Sequence, residues 1–153
     1  MIFLFLMITI ILIDQISKNR IKKLIKNKKC IKNRFLKYHY LYNKGFALGI
    51  FKRKPKIVKI LNTISIIFIA WVFFIFQNKN RVYIPSFGII LGGGISNLID
   101  RYIYNGVFDF FSFSFWKKSP VFNLADISII VGVVISIIKI GMEGLIWKKI
   151  YVD

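Results

Sequence analysis

Carboxylates and long apolar segments meet in the stretch from Gly92 to Asp126, and this combination indicates chemistry. Three of the chain's six acidic residues, Asp100, Asp109 and Asp126, lie there. A carboxylate at membrane depth is costly unless it is paired or functional. Two neighbouring carboxylates share a proton, so one can take a proton from water while the other donates to a carbonyl oxygen. We therefore predict that Asp109 and Asp126 form a two-carboxylate site that activates water against a peptide bond.

The composition is that of a small polytopic membrane protein. The 153 residues are 56% hydrophobic with a mean hydropathy of +0.61, and the apolar residues come in long blocks. About 20 apolar residues in a helix cross the hydrocarbon core. The sequence predicts an all-α integral membrane protein, one domain over 1–153, with four transmembrane helices at about 1–17, 57–76, 82–99 and 127–147. The first span lacks the basic start and cleavage pattern of a signal peptide, so we expect it to be retained.

Two aromatic-rich segments between the spans alternate in the manner of strands. Phe35 to Tyr42 and Val107 to Trp116 both show this pattern. We predict that they pair in a small β-sheet, a cradle lying on the membrane surface, where aromatic side chains are favoured. The basic segment Asn19 to Arg34 fits a short interfacial helix or a solvated loop equally well.

Four spans would place the turn 77–81 on one side of the membrane and the loops 18–56 and 100–126 on the other. Most of the chain's polar residues near span ends would then gather at one membrane face. These residues are Asp14, Asn43, Asn97, Asp100, Arg101, Asp109, Asn123 and Asp126. Randomly placed polar residues would be divided between the two faces, so the convergence indicates a functional site.

A small membrane transporter or ion pathway is the alternative function, with the acids as relay groups. Transporters bury such groups near the bilayer midplane. These acids lie at span ends, which favours chemistry at the interface.

The formal charge of +18 indicates an anionic partner. Because the basic loop 18–56 lies between two spans, anionic lipid headgroups are its nearest partner, and we predict no nucleic-acid partner. A protein that only recognised lipid would leave the aspartates unused. Cys30 and His39 are single, so we predict no metal site, although a hard cation could bind the aspartates.

Five segments, taken in order, resemble the motifs of the lipoprotein signal peptidase family, also called signal peptidase II. They are Asp14-Gln15-Ile16-Ser17-Lys18, Asn43-Lys44-Gly45-Phe46-Ala47, Gly92-Gly93 through Asn97-Leu98-Ile99-Asp100-Arg101, Val107-Phe108-Asp109-Phe110 and Phe122-Asn123-Leu124-Ala125-Asp126. Each motif is weak alone, but five in order are specific, and they cover nearly the whole chain.

The resemblance implies an intramembrane aspartic protease of the bacterial inner membrane. Such enzymes remove the signal peptide of a prolipoprotein just before its diacylglyceryl-modified cysteine, and no cofactor or metal is implied. Asp109 and Asp126 would be the catalytic pair, and Arg101 would brace a carboxylate through its bidentate fork. The residues implied to bind substrate or support the site are Asp14, Asn43, Gly45, Asn97, Asp100, Arg101 and Asn123. For Asp14 and Asp100, an ion pair that braces helix ends is the alternative.

Two features depart from the family's pattern. Ser96 stands where the family usually has glycine. Loop 18–56 carries fifteen Lys and Arg residues, against two in the turn 77–81. The positive-inside rule would place that loop and the site in the cytoplasm, whereas the family places them outside. We follow the family and expect the site at the outer face.

Overall fold

The computed structural model describes residues 1–25, 30–46, 50–76 and 83–151, while the side chains of 30, 31 and 143–151 lie outside that description. Its elements, in chain order, are α1 (Ile2–Ile25), β1 (Cys30–Lys32), β2 (Leu36–Asn43), α2 (Pro55–Phe76), α3 (Ile84–Tyr104), β3 (Val107–Phe113) and α4 (Leu124–Tyr151). The four helices fall where the apolar segments predict them.

Three of these helices are long and apolar enough to cross a membrane, as far as the described residues go: Ile2–Ile25, Pro55–Ile75 and Leu124–Met142. The helix α3 differs because its buried positions are mostly small or polar, among them Gly92, Gly93, Ser96 and Asn97. It packs against the other three helices. In lipid, small residues allow close helix packing where hydrophobicity gives no drive to associate. Large apolar side chains of α1, α2 and α4 are exposed on the outer surface.

The first helix is longer than the predicted 1–17. It continues to Ile25, so the expectation of a separate interfacial helix or solvated loop over 19–34 is wrong for its first part. No glycine or proline interrupts 18–25, and Ile21, Leu24 and Ile25 continue the apolar pattern. Four of the cations assigned to the first loop therefore belong to α1: Lys18, Arg20, Lys22 and Lys23. Cys30–Lys32 is a short strand that the sequence did not predict.

The predicted pairing of the two aromatic segments is confirmed. The strands β1, β2 and β3 form one antiparallel sheet in that order, with Leu41 opposite Asp109 and Asn43 opposite Val107. Phe108, Phe110 and Phe111 of β3 are buried and pack with Ile25 at the end of α1. The sheet is therefore fixed to the helices by its own apolar side chains.

A tight connection brings the end of α3 close to β3. Asn105 ends α3 in the left-handed region, with φ of 55°, which asparagine tolerates better than most residues. Only Asn105 and Gly106 separate the two elements. The polar residues of the last turns of α3 therefore lie beside the start of β3.

Gly93 sits where α3 meets the first turn of α4. A Cβ atom there would lie 2.5 Å from the Ala125 carbonyl oxygen and 2.9 Å from Cγ1 of Ile129. We expect Gly93→Ala to separate the helices and destabilise the fold by about 1–3 kcal/mol, as overpacked sites do. Thermal unfolding of the purified protein measures this. Gly141→Ala is the matched control, because a Cβ at Gly141 meets nothing within 4 Å. Equal melting temperatures for the two variants would contradict the packing role.

Candidate active site

Asp109 lies in the middle of β3 and is only 2% exposed. Strand alternation places its two neighbours, Phe108 and Phe110, in the apolar cluster. Burial is the main cause that raises the pKa of Asp109 to about 7, and the charge of Asp126 raises it further. Hydrogen bonds with Asn123 and Asn43 act in the opposite direction. A carboxyl group with this pKa still carries its proton in part of the molecules at neutral pH, unlike an ordinary aspartate.

Asp126 lies in the first turn of α4, where Asn123 caps the helix. The Asp126 amide donates to Asn123 Oδ1 at 2.9 Å, and the Asn123 amide donates to Asp126 Oδ2 at 3.2 Å. This reciprocal pair is a capping box. A carboxylate is also favoured at the positive end of a helix. The same two residues that begin α4 therefore fix the Asp126 side chain.

Asn123 also joins the two acids. Its Nδ2 donates to Asp109 Oδ1 at 2.7 Å, while its backbone amide and its Oδ1 engage Asp126. Both acids line one cavity. The predicted convergence of Asp109 and Asp126 is therefore present, with Asn123 as the link between them.

Asn97 of α3 holds Asp126 from the other side. Its Nδ2 donates to Asp126 Oδ1 at 2.8 Å, and its Oδ1 accepts from Lys18 Nζ at 3.1 Å and Asn123 Nδ2 at 3.2 Å. An ammonium group has only donors to offer. Lys18 therefore requires the oxygen of the Asn97 amide to face it, which leaves the NH₂ group for Asp126.

Lys18 belongs to the buried polar network, although the sequence analysis did not list it among the site residues. It is 4% exposed, and its ammonium lies 2.6 Å from Asp14 Oδ2 and 3.0 Å from Asp100 Oδ2. Asp14 also accepts the Ala125 amide of α4, and Asp100 accepts the Phe108 amide of β3. The ion-pair alternative for Asp14 and Asp100 is thus the arrangement found. The i,i+4 spacing of Asp14 and Lys18 was the signal available, but Lys18 was counted with the loop charges.

Arg101 donates its hydrogen bonds to amide oxygens and not to a carboxylate. It donates to Asn62 Oδ1 at 3.1 Å, to the Asn97 carbonyl at 3.3 Å and to the Gly45 carbonyl at 3.3 Å. Among the described residues its hydrogen bonds reach no carboxylate, so the predicted fork on an acid is wrong. Adjacent helix positions point about 100° apart. Asp100 therefore points towards Lys18, and Arg101 points towards Asn62 of α2. The sequence analysis did not identify Asn62 as a site residue.

The segment after β2 is folded back on itself. The Gly45 amide donates to Asn43 Oδ1 at 3.0 Å, and Asn43 Nδ2 donates to the Phe46 carbonyl at 3.4 Å. The Asn43 side chain also lines the cavity with Asp109 and lowers the pKa of that acid. Asn43, Gly45 and Arg101 thus form one wall of the site.

Two cavities of about 250 and 260 Å³ meet at this point. Both are lined by Phe46, Arg101, Asp126 and Ile129, and the first also contains Asn43 and Asp109. The second extends between α2 and α3, past Ile66 and Leu91. An extended peptide bound in these cavities would contact both acids, and its apolar side chains would lie in the apolar cavity between α2 and α3.

The alternative hypothesis, a cation bound by the aspartates, is not supported by a group of ligands among the described residues. Within residues 1–25, 30–46, 50–76 and 83–151, no group of three or more His, Cys, Asp and Glu side chains is placed to hold a metal ion. In the cluster around Lys18, an ammonium occupies the position between Asp14 and Asp100.

The fold and the site together describe a helical membrane protein with a buried polar centre beneath a small sheet. The family model for signal peptidase (SPase) II matches residues 6–142. A lipoprotein signal peptidase of Caldicellulosiruptor bescii is 33% identical over 153 residues, covering 97% of this chain and 99% of the relative. One of Clostridium tetani is 35% identical over 120 residues, covering 76% and 77%. The chain therefore belongs to the signal peptidase II family and is a membrane peptidase.

Solved structures agree in fold. A bacterial membrane enzyme determined by the in meso method at 2.3 Å resolution matches with a TM-score of 0.81 and 27% identity, covering 93% of this chain and 88% of that one. A second, at 1.9 Å, matches with a TM-score of 0.77, also at 27% identity, covering 90% and 91%. The arrangement of helices and sheet is thus shared with bacterial membrane enzymes.

Proposed function

We propose that the protein is an intramembrane aspartic endopeptidase that removes the signal peptide from diacylglyceryl-modified prolipoproteins, cleaving before the lipidated cysteine. The observation that supports this most is the pair Asp109 and Asp126, joined through Asn123 beside a cavity. Family membership supports the substrate class. It also favours the peptidase over a transporter or ion pathway, as do the position of Asp109 in a strand outside the helices and that of Asp126 in the first turn of α4.

The environments of the two acids give them different roles. Both oxygens of Asp126 accept hydrogen bonds, from Asn97 Nδ2 and the Asn123 amide, and these bonds favour the ionised base against the effect of its burial. Asp109 is the acid, because its pKa of about 7 lets it keep a proton. Asn43, Gly45, Asn97, Arg101 and Asn123 hold these groups or line the place for the substrate backbone.

The reaction begins with a water molecule between the acids. Asp126 takes a proton from this water as the water oxygen bonds to the scissile carbonyl carbon, and Asp109 gives its proton to the carbonyl oxygen. The resulting gem-diol collapses when Asp126 returns its proton to the leaving nitrogen and Asp109 recovers one from a hydroxyl. The C–N bond breaks, and a carboxylic acid and a free amine are released.

Cleavage should depend on pH through the shared proton. Because the pKa of Asp109 is about 7, the acid is protonated below that value. We expect kcat/KM to fall as the pH rises through about 7. Asn43 lowers this pKa by a hydrogen bond, so Asn43→Ala should move the fall to higher pH. A pH–rate profile of both proteins measures the effect, and activity that increases through neutrality would contradict the assignment of the acid.

The substrate class is tested with purified enzyme and one prolipoprotein in two forms, with and without the diacylglyceryl group. We expect cleavage of the modified form, with the new N-terminus at the lipidated cysteine by mass spectrometry. Cleavage of both forms at the same rate, or at another bond, would overturn the proposed specificity.

We propose that α3 also crosses the bilayer, giving four spans in the bacterial inner membrane with the site at the outer face. The family resemblance supports this orientation against the charge bias of the first loop. A Lys117→Cys substitution in a Cys30→Ser background places one exposed thiol near the end of β3. A membrane-impermeant maleimide should label it in spheroplasts, and protection until lysis would reverse the orientation.

Anionic lipid headgroups are the proposed partner of the first loop. Lys52, Arg53, Lys54 and Lys56 are exposed there, next to the exposed side chains of Ile50 and Phe51. Basic and aromatic residues together suit the headgroup region. Exchange of phosphatidylcholine for phosphatidylglycerol in reconstituted vesicles should increase activity, and the gain should vanish when all four cations are replaced by glutamine. If activity still increases with phosphatidylglycerol after this replacement, these four residues are not the site of the lipid effect.

A further inference from the structure

Ser96 lies on α3, directly before Asn97. Its side chain is fully buried, at 0% exposed. Its Oγ donates to Asp14 Oδ2 at 2.6 Å and accepts from Gln15 Nε2 at 3.0 Å. Both functions of the hydroxyl are thus directed at consecutive residues of α1.

The partner of Ser96 is connected to the start of α4. Asp14 Oδ1 accepts the backbone amide of Ala125, the residue before Asp126, at 2.9 Å. Asp14 Oδ2 is shared between Ser96 and the Lys18 ammonium. Lys18 is also engaged with Asp100 and Asn97. Without the hydroxyl, Lys18 alone would hold Oδ2, and the carboxylate could turn away from Ala125.

We propose that Ser96 is a positioning residue for cleavage: its hydroxyl orients Asp14, which holds the first turn of α4 and thereby Asp126. The inference rests on the proposed role of Asp126. Ser96 lines neither of the two cavities that meet at Asp126. It should therefore affect the chemical step and not the binding of substrate.

A plain packing role for the α1–α3 contact is the competing explanation. The chain offers a matched control in a second interhelical hydrogen bond of α3, made with α4. Ser86 of α3 is also 0% exposed and accepts a hydrogen bond from Ser136 of α4 at 2.9 Å. Ser86 lies ten residues before Ser96, which is about 15 Å along a helix axis. Ser136→Ala thus removes a similar interhelical hydrogen bond far from the acids.

The experiment compares kcat, KM and thermal unfolding for the parental protein, Ser96→Ala, Ser96→Gly and Ser136→Ala, with the diacylglyceryl-modified prolipoprotein as substrate. We expect both Ser96 variants to lose about tenfold in kcat, the rate equivalent of one charge-assisted hydrogen bond, with KM unchanged. Ser136→Ala should keep the parental kcat. Glycine lowers helix stability more than alanine does. If Ser96→Ala and Ser96→Gly have equal kcat values, the loss of activity comes from the missing hydroxyl and not from lower helix stability.

Parental kcat in Ser96→Ala, a change confined to KM, or an equal loss in Ser136→Ala would each overturn the inference while the proposed function stands. If the parental protein does not cleave, the proposed function fails and the inference fails with it. Ser96→Cys covers the case in which the smaller variants do not fold. It fills the position with a somewhat larger group that is a weaker donor. Its kcat should lie between the parental value and the tenfold loss expected for Ser96→Ala, and parental kcat in this variant would also overturn the inference.

Discussion

Asp109→Asn and Asp126→Asn should each abolish cleavage of a lipid-modified prolipoprotein. An amide can neither take a proton from water nor donate a carboxylic proton, and general acid–base help of this kind is worth about 10²–10⁴-fold. The loss should appear in kcat, because both side chains act on the reacting atoms. Purified variants in detergent, assayed by gel shift and mass spectrometry, measure it.

Both variants should remain folded. Asp109 sits in an environment that favours its neutral form, so the uncharged amide of Asp109→Asn fits there without a new buried charge. Asp126→Asn keeps an oxygen for Asn97 Nδ2, although it loses one acceptor for the Asn123 amide. Ser112→Ala, on the same strand and bonded to His39, is the control for disturbance of the sheet. Parental cleavage by either aspartate variant would remove that residue from the mechanism.

Lys18→Met should be the most destabilising single change in the buried polar network. It would leave Asp14 and Asp100, which are 0% and 1% exposed, without their shared cation. Removing one partner of a buried ion pair costs about 3–5 kcal/mol. Activity should fall as well, because Asn97 loses the donor that sets its amide orientation towards Asp126. Thermal unfolding and the cleavage assay measure the two effects.

Lys23→Met provides the comparison for Lys18→Met. Lys23 is a lysine of the same helix, but its side chain is exposed near the helix end. Exposed charges of this kind contribute little to the free energy of unfolding. Similar melting temperatures for the two methionine variants would show that the Lys18 ion pairs do not stabilise the fold.

The helices and the sheet were predictable because their patterns are local. Apolar length identified the helical segments, and alternating aromatic residues identified β2 and β3. The end of α1 was not predictable by the same means. Lysines at positions 18–23 resemble a loop in a composition count, whereas in the fold Lys18 turns inwards to Asp14 and Asp100. The i,i+4 spacing of Asp14 and Lys18 is a local signal, but the second partner, Asp100, lies far along the chain and leaves none.

The sequence predicted which residues come together at the candidate site, but it did not predict the contacts between them. Sequence motifs brought Asp109, Asp126, Asn97 and Asn123 together, and the geometry has them in one hydrogen-bonded group. The partner of Arg101 could not be predicted, because it depends on the angle between Asp100 and Arg101 and on Asn62 of another helix. The sequence showed Ser96 only as a departure from the family's pattern, and its hydrogen bond to Asp14 on another helix could not be predicted.

The central claim is that two coupled carboxyl groups hold one proton at neutral pH. Carboxyl ¹³C NMR of the protein labelled at its five aspartates tests it most directly. We expect one resonance that titrates near pH 7, is absent from Asp109→Asn and moves to lower pH in Asp126→Asn, where the neighbouring charge is gone. A spectrum with no carboxyl group titrating near neutrality, or with one that is unchanged in both variants, would contradict the account.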